Sequence, residues 1–260
     1  YNNKKKFFTN ENFFLESGKV TGIYGQSGSG KRTFLNLLTF LFKPNKGKIR
    51  AIIYGVPPSP YVRKVMLAHA FKGVSYDLEP TMPGSEDPIF RAASPLGKIP
   101  AYRVNENSGF SDSSVIVAYL ERTETQTPLY PTNAEDYGQA LWLEKYCDTK
   151  LADVISGLYF QLVVGPAFFE HTTEEERVAD LVSNLIPEQL AYLESTLANN
   201  TYFVGNEFSV ADLSIGVHMM SLKHAKFEID AEKYPAVAKF AADFCEHPMV
   251  VTQLAQESAM

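Results

Sequence analysis

The sequence has few cysteines, no long apolar run and no segment that resembles a secretory signal. Two cysteines in 260 residues are too few for a disulfide framework, so we expect a protein of a reducing, cytoplasmic compartment. The longest strongly apolar run, residues 34–42, is far shorter than the roughly 20 residues that a membrane span needs. A hydrophobic content of 45% with 21% charged residues indicates a globular protein.

Alanine is absent from the first 50 residues, and the charge of this segment is opposite to that of the rest. Residues 1–50 hold ten Lys and Arg against two Glu, whereas residues 51–260 hold 23 alanines and fourteen basic against twenty-eight acidic residues. Such asymmetry is typical of a basic nucleic-acid-binding arm or of two joined segments of different origin. We favour a chimera without a nucleic-acid partner, because the basic segment carries its own motif. The predicted domains are 1–50, 51–125 and 126–260.

The basic segment contains a glycine-rich loop between a short apolar strand and an apolar helical run. The loop reads Gly-Gln-Ser-Gly-Ser-Gly-Lys and ends at Lys31. Glycines let backbone N–H groups turn toward a phosphate, the following helix N-terminus favours an anion, and the lysine reaches the outer phosphates. The predicted phosphate-binding residues are Gly25, Ser27, Gly28, Ser29, Gly30, Lys31, Arg32 and Thr33.

This segment resembles part of the nucleotide-binding domain of an ABC transporter. The resemblance implies ATP as a ligand and places Tyr1 where that family has an adenine-stacking aromatic residue. Arg32 stands where the family has the Ser or Thr that holds Mg²⁺, and Thr33 follows one residue later. No acidic strand and no Leu-Ser-Gly-Gly-Gln signature follows residue 50. Because phosphoryl transfer depends on those parts, we expect an incomplete P-loop fragment without ATPase activity.

From residue 51 onward the pattern is that of an α/β unit followed by helices. Turn residues and apolar periodicity predict strands over 51–54, 76–79 and 98–104, and helices over 61–72 and from 110 to 120. Long amphipathic patterns follow over 133–164 and 174–199. Ser209 and Asp212 form a capping box before another helix. These elements predict a thioredoxin-like domain of about 75 residues and an all-α domain.

Four motifs in this part of the chain occur in the order and spacing of one family. They are a strand-loop-helix at 54–61, Ser-Pro-Leu-Gly-Lys-Ile-Pro at 94–100, Ser-Asp-Ser-Ser-Val-Ile at 111–116, and the capping box at 209–212. Residues 51–260 therefore resemble a cytosolic glutathione transferase of the type with a serine at the site. The resemblance implies a homodimeric detoxification enzyme that conjugates glutathione to a small, hydrophobic electrophile.

The resemblance places Ser59 at the position of the catalytic hydroxyl. A free thiol has a pKa of about 8.5, and only the thiolate attacks, so a donor that stabilises the thiolate activates glutathione. The alternative is that Ser59 only caps the helix that follows, and Tyr54 and Tyr61 are rival donors. Serine cannot form a mixed disulfide, which favours conjugation or glutathione peroxidase chemistry over thiol transfer.

The same resemblance assigns the residues that bind glutathione. The backbone of Ile99, before a cis-Pro100, pairs with the cysteinyl part, and Asp112 with Ser113 holds the γ-glutamyl end. Lys98 meets the glycyl carboxylate. The alternatives are helix capping for the Asp-Ser pair and an ordinary exposed lysine for Lys98.

The second substrate is expected against the first long helices of the all-α domain. The aromatic candidates for its pocket are Trp142, Tyr146, Tyr159 and Phe160, with core packing as the alternative reading. The five histidines show no ligand spacing with one another or with the cysteines, so we expect no metal site. Two further hypotheses remain: a non-catalytic glutathione-transferase-like interaction module, and an ATP-binding protein.

Overall fold

The computed structural model describes residues 24, 26, 29, 31–38, 51–105, 108–198 and 200–258. The chain divides into two compact units, Tyr1–Arg50 and Ala51–Met260. In the first unit, helix α1 spans Lys31–Leu38. The strand predicted before the glycine-rich loop lies outside the described residues, apart from Tyr24.

The second unit begins with a four-stranded sheet. Its strands are β1 (Ala51–Gly55), β2 (Tyr76–Pro80), β3 (Ala101–Asn105) and β4 (Ser108–Ser111). Their order is β2-β1-β3-β4, with β2 parallel to β1 and β3 antiparallel to both of its neighbours. The crossover from β1 to β2 runs through a helix, as a parallel pair requires.

Three helices cover the sheet: α2 (Pro60–Phe71), α3 (Pro88–Ala93) and α4 (Ser113–Thr123). Alternation along β1 divides the core, because successive side chains point to opposite faces. Ile53 joins the main core with residues of α2 and α4, whereas Tyr54 packs with Phe90 of α3. This arrangement confirms the predicted thioredoxin-like domain.

The remaining described residues form a helical domain. Helix α5 spans Ala134–Phe168. Helix α6 consists of three consecutive stretches, Glu175–Asp180, Leu181–Leu185 and Ile186–Leu197. The last three helices are α7 (Val210–His224), α8 (Pro235–Glu246) and α9 (Pro248–Ser258). Two stretches of α5, Cys147–Ser156 and Phe160–Val164, have π-helical hydrogen bonding. By length and composition α5 could cross a membrane, but α7 packs along it, as expected of a core helix.

Helix α7 is the central helix of this domain. Every residue from Val210 to Leu222 is buried, which is typical of a helix surrounded by other elements. Asp212 accepts hydrogen bonds from the Ser209 N–H and from its hydroxyl, at 2.9 and 3.0 Å, and from the Phe203 N–H at 2.9 Å. The predicted capping box is confirmed.

Some boundaries differ from the sequence prediction for local reasons. β3 begins at Ala101, after Pro100, because proline has no N–H to donate to the ladder. The short helix α3, the residue bounds of the strand β4 and the C-terminal helix α9 were not predicted. Six residues with one turn of periodicity, as in α3, are too short for a pattern to indicate a helix.

Candidate active site

Ser59 is the N-cap residue of α2. Its backbone is extended, its N–H donates to the Val56 carbonyl at 3.0 Å, and its Oγ accepts the Val62 N–H at 3.5 Å. Pro60 occupies the first helical position, where its missing N–H costs nothing. A hydroxyl that accepts from the helix keeps its own hydrogen for donation. Capping and donation to a thiolate are therefore compatible at Ser59.

The loop before Ser59 lies against the cis-proline loop. The Ile99–Pro100 peptide is cis, as predicted. A Cβ added to Gly55 would lie 3.5 Å from Ile99 Cβ and 2.5 Å from Val62 Cγ2. Only glycine permits this close approach of the end of β1 to Val62 of α2, and Ile99 lies beside the same end of β1.

Asp112 and Ser113 form the turn into α4. Asp112 has a φ of +85°, and its Oδ1 accepts the N–H groups of Ser114 and Val115 at 2.9 and 3.2 Å. Asp112 is thus the N-cap of α4, whereas Ser113 is buried at 3% exposure. A positive φ on a residue with a side chain is strained, and such residues cluster at ligand sites.

A buried ionic cluster around Lys64, called the Lys64 cluster below, lies next to this turn. Lys64 of α2 is 1% exposed and lies 2.8 Å from Glu144 Oε1 and 3.4 Å from Asp148 Oδ1, both on α5. Its ammonium also donates to Ser114 Oγ at 3.0 Å, and the Ser114 hydroxyl donates to Asp148 Oδ2 at 2.6 Å. The Tyr130 hydroxyl donates to Glu144 at 3.3 Å. Lys64, Ser114 and Asp148 therefore connect α2, α4 and α5 at the first turn of α4, next to Ser113.

A second buried ion pair holds the loop before Ser59. Arg63 is fully buried and contacts both carboxylate oxygens of Glu257, at 2.9 and 2.7 Å. Arg63 Nη2 also donates to the Pro58 carbonyl at 3.4 Å, and its Nη1 donates to the Val217 carbonyl at 2.9 Å. Sequence reasoning missed Arg63 and Lys64. The available signal was two adjacent basic residues within an otherwise apolar helix.

The two rival tyrosines are less suited than Ser59 to stabilise a thiolate. Tyr54 is buried on the α3 face of the sheet, beside Phe90. The Tyr61 hydroxyl donates to the Asp148 carbonyl at 3.4 Å, and burial followed by the charge of Asp148 raises the pKa of Tyr61 to about 12. A phenol with a raised pKa is a weaker hydrogen-bond donor.

Lys98 and the four aromatic residues predicted to line the second-substrate pocket do not form one group in the structure. Lys98 is exposed at the end of a turn that the Ser94 hydroxyl closes by donating to the Lys98 carbonyl at 2.7 Å. Tyr159 lies beneath the Arg63 guanidinium, whose Cζ is 5.7 Å from the ring centroid. The structure divides the other three between two groups: Trp142 and Tyr146 with Tyr192, and Phe160 with Phe169 and His171. Their role as one pocket stays a prediction.

In the first unit, the described residues show the end of the glycine-rich loop. Lys31 begins α1, and its ammonium donates to the Gln26 carbonyl at 2.8 Å and to Ser29 Oγ at 3.4 Å. Arg32 is exposed on the first turn. The other predicted nucleotide-binding residues lie outside the described residues, as does the side chain of Thr33; they are Tyr1, Gly25, Ser27, Gly28 and Gly30.

Comparison with known proteins agrees with this geometry. A family model of the glutathione S-transferase N-terminal domain matches residues 53–128, and a model of the glutathione S-transferase C-terminal domain matches residues 159–257. A probable glutathione S-transferase of Glycine max is 26% identical over 76% of this chain and 85% of its own length. The crystal structure of a glutathione transferase of Populus trichocarpa superposes with a TM-score of 0.68 at 21% identity, covering 79% of this chain and 98% of that one.

The basic segment has different relatives. An ABC transporter model matches residues 8–68 and so extends beyond residue 50, where the charge reverses. A putative ABC transporter ATP-binding protein of Mycoplasma genitalium is 45% identical over 49 residues, which are 19% of this chain and 8% of that protein. The two glutathione S-transferase models together match about two thirds of the chain. The chain belongs to the glutathione transferase family and carries at its start a short segment of ABC transporter type.

Proposed function

We propose that Ser59 activates glutathione in this transferase by donating a hydrogen bond to its thiolate, and that the second substrate is a small hydrophobic electrophile. The position of Ser59 at the start of α2 carries this proposal, because Oγ accepts from the helix and its hydrogen remains available. The thiolate then attacks the electrophilic carbon. A carbon–sulfur bond forms, and the leaving group departs with the bonding electron pair.

The required stabilisation is within reach of one such contact. Lowering a thiol pKa from about 8.5 by two units corresponds to roughly 2.7 kcal/mol. A hydrogen bond to a charged group contributes about 1.5–3 kcal/mol, and a helix N-terminus adds about 0.3–1 kcal/mol for an anion. Ser59 supplies the first contribution and α2 the second.

The remaining glutathione contacts follow from the turns around Ser59. We propose that the Ile99 backbone beside Pro100 pairs with the cysteinyl part of glutathione. Asp112 and Ser113 hold the γ-glutamyl end, and the exposed Lys98 meets the glycyl carboxylate. The position of Ile99 next to Gly55 and the cap geometry at Asp112 support this assignment.

We further propose that the electrophile binds near the first turn of α2, toward α5. Of the four aromatic candidates, Tyr159 is linked to this region, because Arg63 contacts both its ring and the Pro58 carbonyl. The other three stay predictions for the pocket: Trp142, Tyr146 and Phe160.

The test is the conjugation of glutathione to an aryl halide by Ser59→Ala. We expect kcat/KM to fall by about 100-fold, since about 1.5–3 kcal/mol of thiolate stabilisation is lost. The thiolate absorbance of bound glutathione should titrate at a higher pH. Ser209→Ala, which removes the N-cap of α7 instead, is the matched control and should lower stability while preserving the thiol pKa.

Near-full conjugation activity of Ser59→Ala would show that Ser59 acts only as a helix cap. Failure of the unaltered protein to bind immobilised glutathione would instead favour the non-catalytic interaction module. These two results are distinguishable, because the first concerns one hydroxyl and the second concerns the whole site.

We also propose a homodimer in a cytoplasmic setting. Tyr137 and Leu141 lie four residues apart on α5, on one face of the helix, and are 44% and 39% exposed. Large apolar side chains exposed along one helix face favour an interface. Light scattering should give twice the chain mass, and Leu141→Glu should shift the protein to monomer.

A further inference from the structure

Helix α5 contacts the first turn of α2 at two points, and Asp153 lies between them along α5. At the first point the Tyr61 hydroxyl donates to the Asp148 carbonyl at 3.4 Å. At the second point the ring centroid of Tyr159 lies 5.7 Å from Cζ of Arg63. The side chain of Asp153 is exposed. It therefore borders the region in which the proposed function places the electrophile.

The π-helical hydrogen bonding of this stretch places Asp153 on the same side of α5 as Asp148. Hydrogen bonds in a π-helix join residues five positions apart, so such residues lie about one turn apart. Both positions fall within Cys147–Ser156. The electrostatics agree, because burial and then the charges of Asp148, Asp153 and Asp112 raise the pKa of Tyr61 to about 12. The Asp153 carboxylate therefore lies close enough to act on the Tyr61 hydroxyl.

The other two carboxylates beside Tyr61 already have partners. Asp148 lies 3.4 Å from the Lys64 ammonium and accepts the Ser114 hydroxyl at 2.6 Å. Asp112 accepts two N–H groups at the start of α4, and its proposed role is to hold the γ-glutamyl end of glutathione, which carries an ammonium group. Asp153 forms no ion pair with another described residue. Its negative charge is therefore left to act on the second substrate.

We propose that Asp153 sets the charge preference of the second-substrate pocket, so that neutral and cationic electrophiles are favoured over anionic ones. This inference rests on the proposed function, in which the electrophile binds beside this turn of α5. A carboxylate repels a like charge over roughly one Debye length, which is about 10 Å at 0.1 M salt. Asp153 acts on the binding of the electrophile and takes no part in the bond-forming step.

Two electrophiles with the same reacting ring test the proposal on the full chain. The anion is 4-chloro-3,5-dinitrobenzoate, the neutral compound is 4-chloro-3,5-dinitrobenzamide, and each loses chloride to the same thiolate. The readout is kcat/KM for the anion divided by kcat/KM for the amide. We expect Asp153→Asn to raise this ratio about fivefold and Asp153→Lys to raise it at least about tenfold. Sodium chloride at about 0.5 M should reduce both effects, because it shortens the Debye length.

Glu135→Gln is the matched control. Glu135 is also exposed on α5, but it precedes Asp153 by eighteen positions, which places the two more than about 20 Å apart along the helix. The substitution removes the same charge and should leave the ratio within about twofold of the parent value. An unchanged ratio in folded Asp153→Asn and Asp153→Lys, or an equal rise in Glu135→Gln, would overturn the proposal.

The ratio also distinguishes this inference from the proposed function. Both electrophiles react with the same thiolate, so Ser59→Ala should lower both rates and leave their ratio intact. If the unaltered protein conjugates neither compound, calorimetry with the two S-aryl glutathione products makes the same comparison. Relative to the amide product, the carboxylated product should bind Asp153→Lys at least about tenfold tighter than it binds the parent. Equal relative affinities would overturn the charge preference.

Discussion

Arg63 Nη2 lies 2.7 Å from Glu257 Oε2, with both side chains at most 1% exposed. Glu257 also accepts from Gln253 Nε2 at 2.9 Å and lies 2.9 Å from His224 Nε2. These contacts lower the pKa of Glu257 against the effect of its burial. The Arg63–Glu257 ion pair therefore connects α9 to α2, the helix that Ser59 caps.

Breaking this pair should destabilise the fold strongly. Glu257→Gln leaves the Arg63 guanidinium buried without its counter-ion, and we expect the free energy of unfolding to fall by about 3 kcal/mol. Chemical denaturation measures it. Asp243→Asn, which breaks the exposed pair with Lys239, is the matched control and should change stability by less than about 1 kcal/mol. Equal effects of the two substitutions would contradict the role of burial.

Replacing the Ser59 hydroxyl, which we propose to be catalytic, by a thiol should change the chemistry rather than abolish it. Ser59→Cys keeps the size of the side chain and places a sulfur at the helix N-terminus, where a thiolate is favoured. We expect aryl halide conjugation to fall at least about tenfold and glutathione-dependent reduction of a small disulfide to appear, through a mixed disulfide. A variant that retains conjugation and gains no reductase activity would contradict the proposed position of Ser59.

The capping box of α7 should contribute substantially to the free energy of unfolding. Asp212→Ala leaves the Phe203 and Ser209 N–H groups buried without the acceptor they have now. With about 1 kcal/mol for each of three lost hydrogen bonds, we expect a loss of about 3 kcal/mol. Thermal unfolding should show it, and the affinity of the folded variant for glutathione should be unchanged. A melting temperature equal to that of the parent would count against the motif.

His69 makes the stability depend on pH. The imidazole is fully buried between Tyr76 and Tyr102, and this burial lowers the pKa of His69 to about 4. Between pH 6.5 and 4 the unfolded chain binds a proton that the folded chain does not. Stability from this group is therefore complete above pH 6.5 and declines as the pH falls toward 4, by up to about 3 kcal/mol.

His69→Phe should remove this decline. The Nε2 atom has no hydrogen-bond partner among the described residues, whereas Nδ1 lies 3.2 Å from the Val74 carbonyl oxygen. An apolar ring of similar shape therefore removes one unsatisfied buried polar atom and one hydrogen bond. The test compares denaturation midpoints of parent and variant at pH 4.5 and 7. The difference between the two pH values should be smaller in the variant, and an equal difference would show that His69 does not contribute.

The first 50 residues should be dispensable for glutathione chemistry. A truncation that begins at Ala51 retains the whole compact unit Ala51–Met260, and we expect its kcat/KM to stay within about twofold of the full chain. The ABC transporter resemblance places Arg32 at the position of the Mg²⁺ ligand, so we expect that the full chain does not hydrolyse ATP. ATP turnover that Lys31→Ala abolishes, or inactivity of a folded truncation, would contradict this division.

Capping residues near each helix start could be predicted from the sequence, whereas contacts between residues far apart along the chain could not. Ser59, Asp112 and the capping box at Ser209 were readable, because a cap depends on residues within one turn. The Lys64 cluster joins residues about 80 positions apart along the chain, and no short pattern encodes that meeting. The aromatic candidates on α5 were hard to orient, because its π-helical stretches depart from the periodicity of an α-helix.

The Lys64 cluster has a consequence for how such chains can recombine. Its cation belongs to the thioredoxin-like domain, and its carboxylates, Glu144 and Asp148, belong to the helical domain. A crossover between two homologous genes at the domain junction would separate the charges unless both parents carried matching partners. An unmatched product would bury one uncompensated lysine or two facing acids. The two domains are therefore expected to be inherited together.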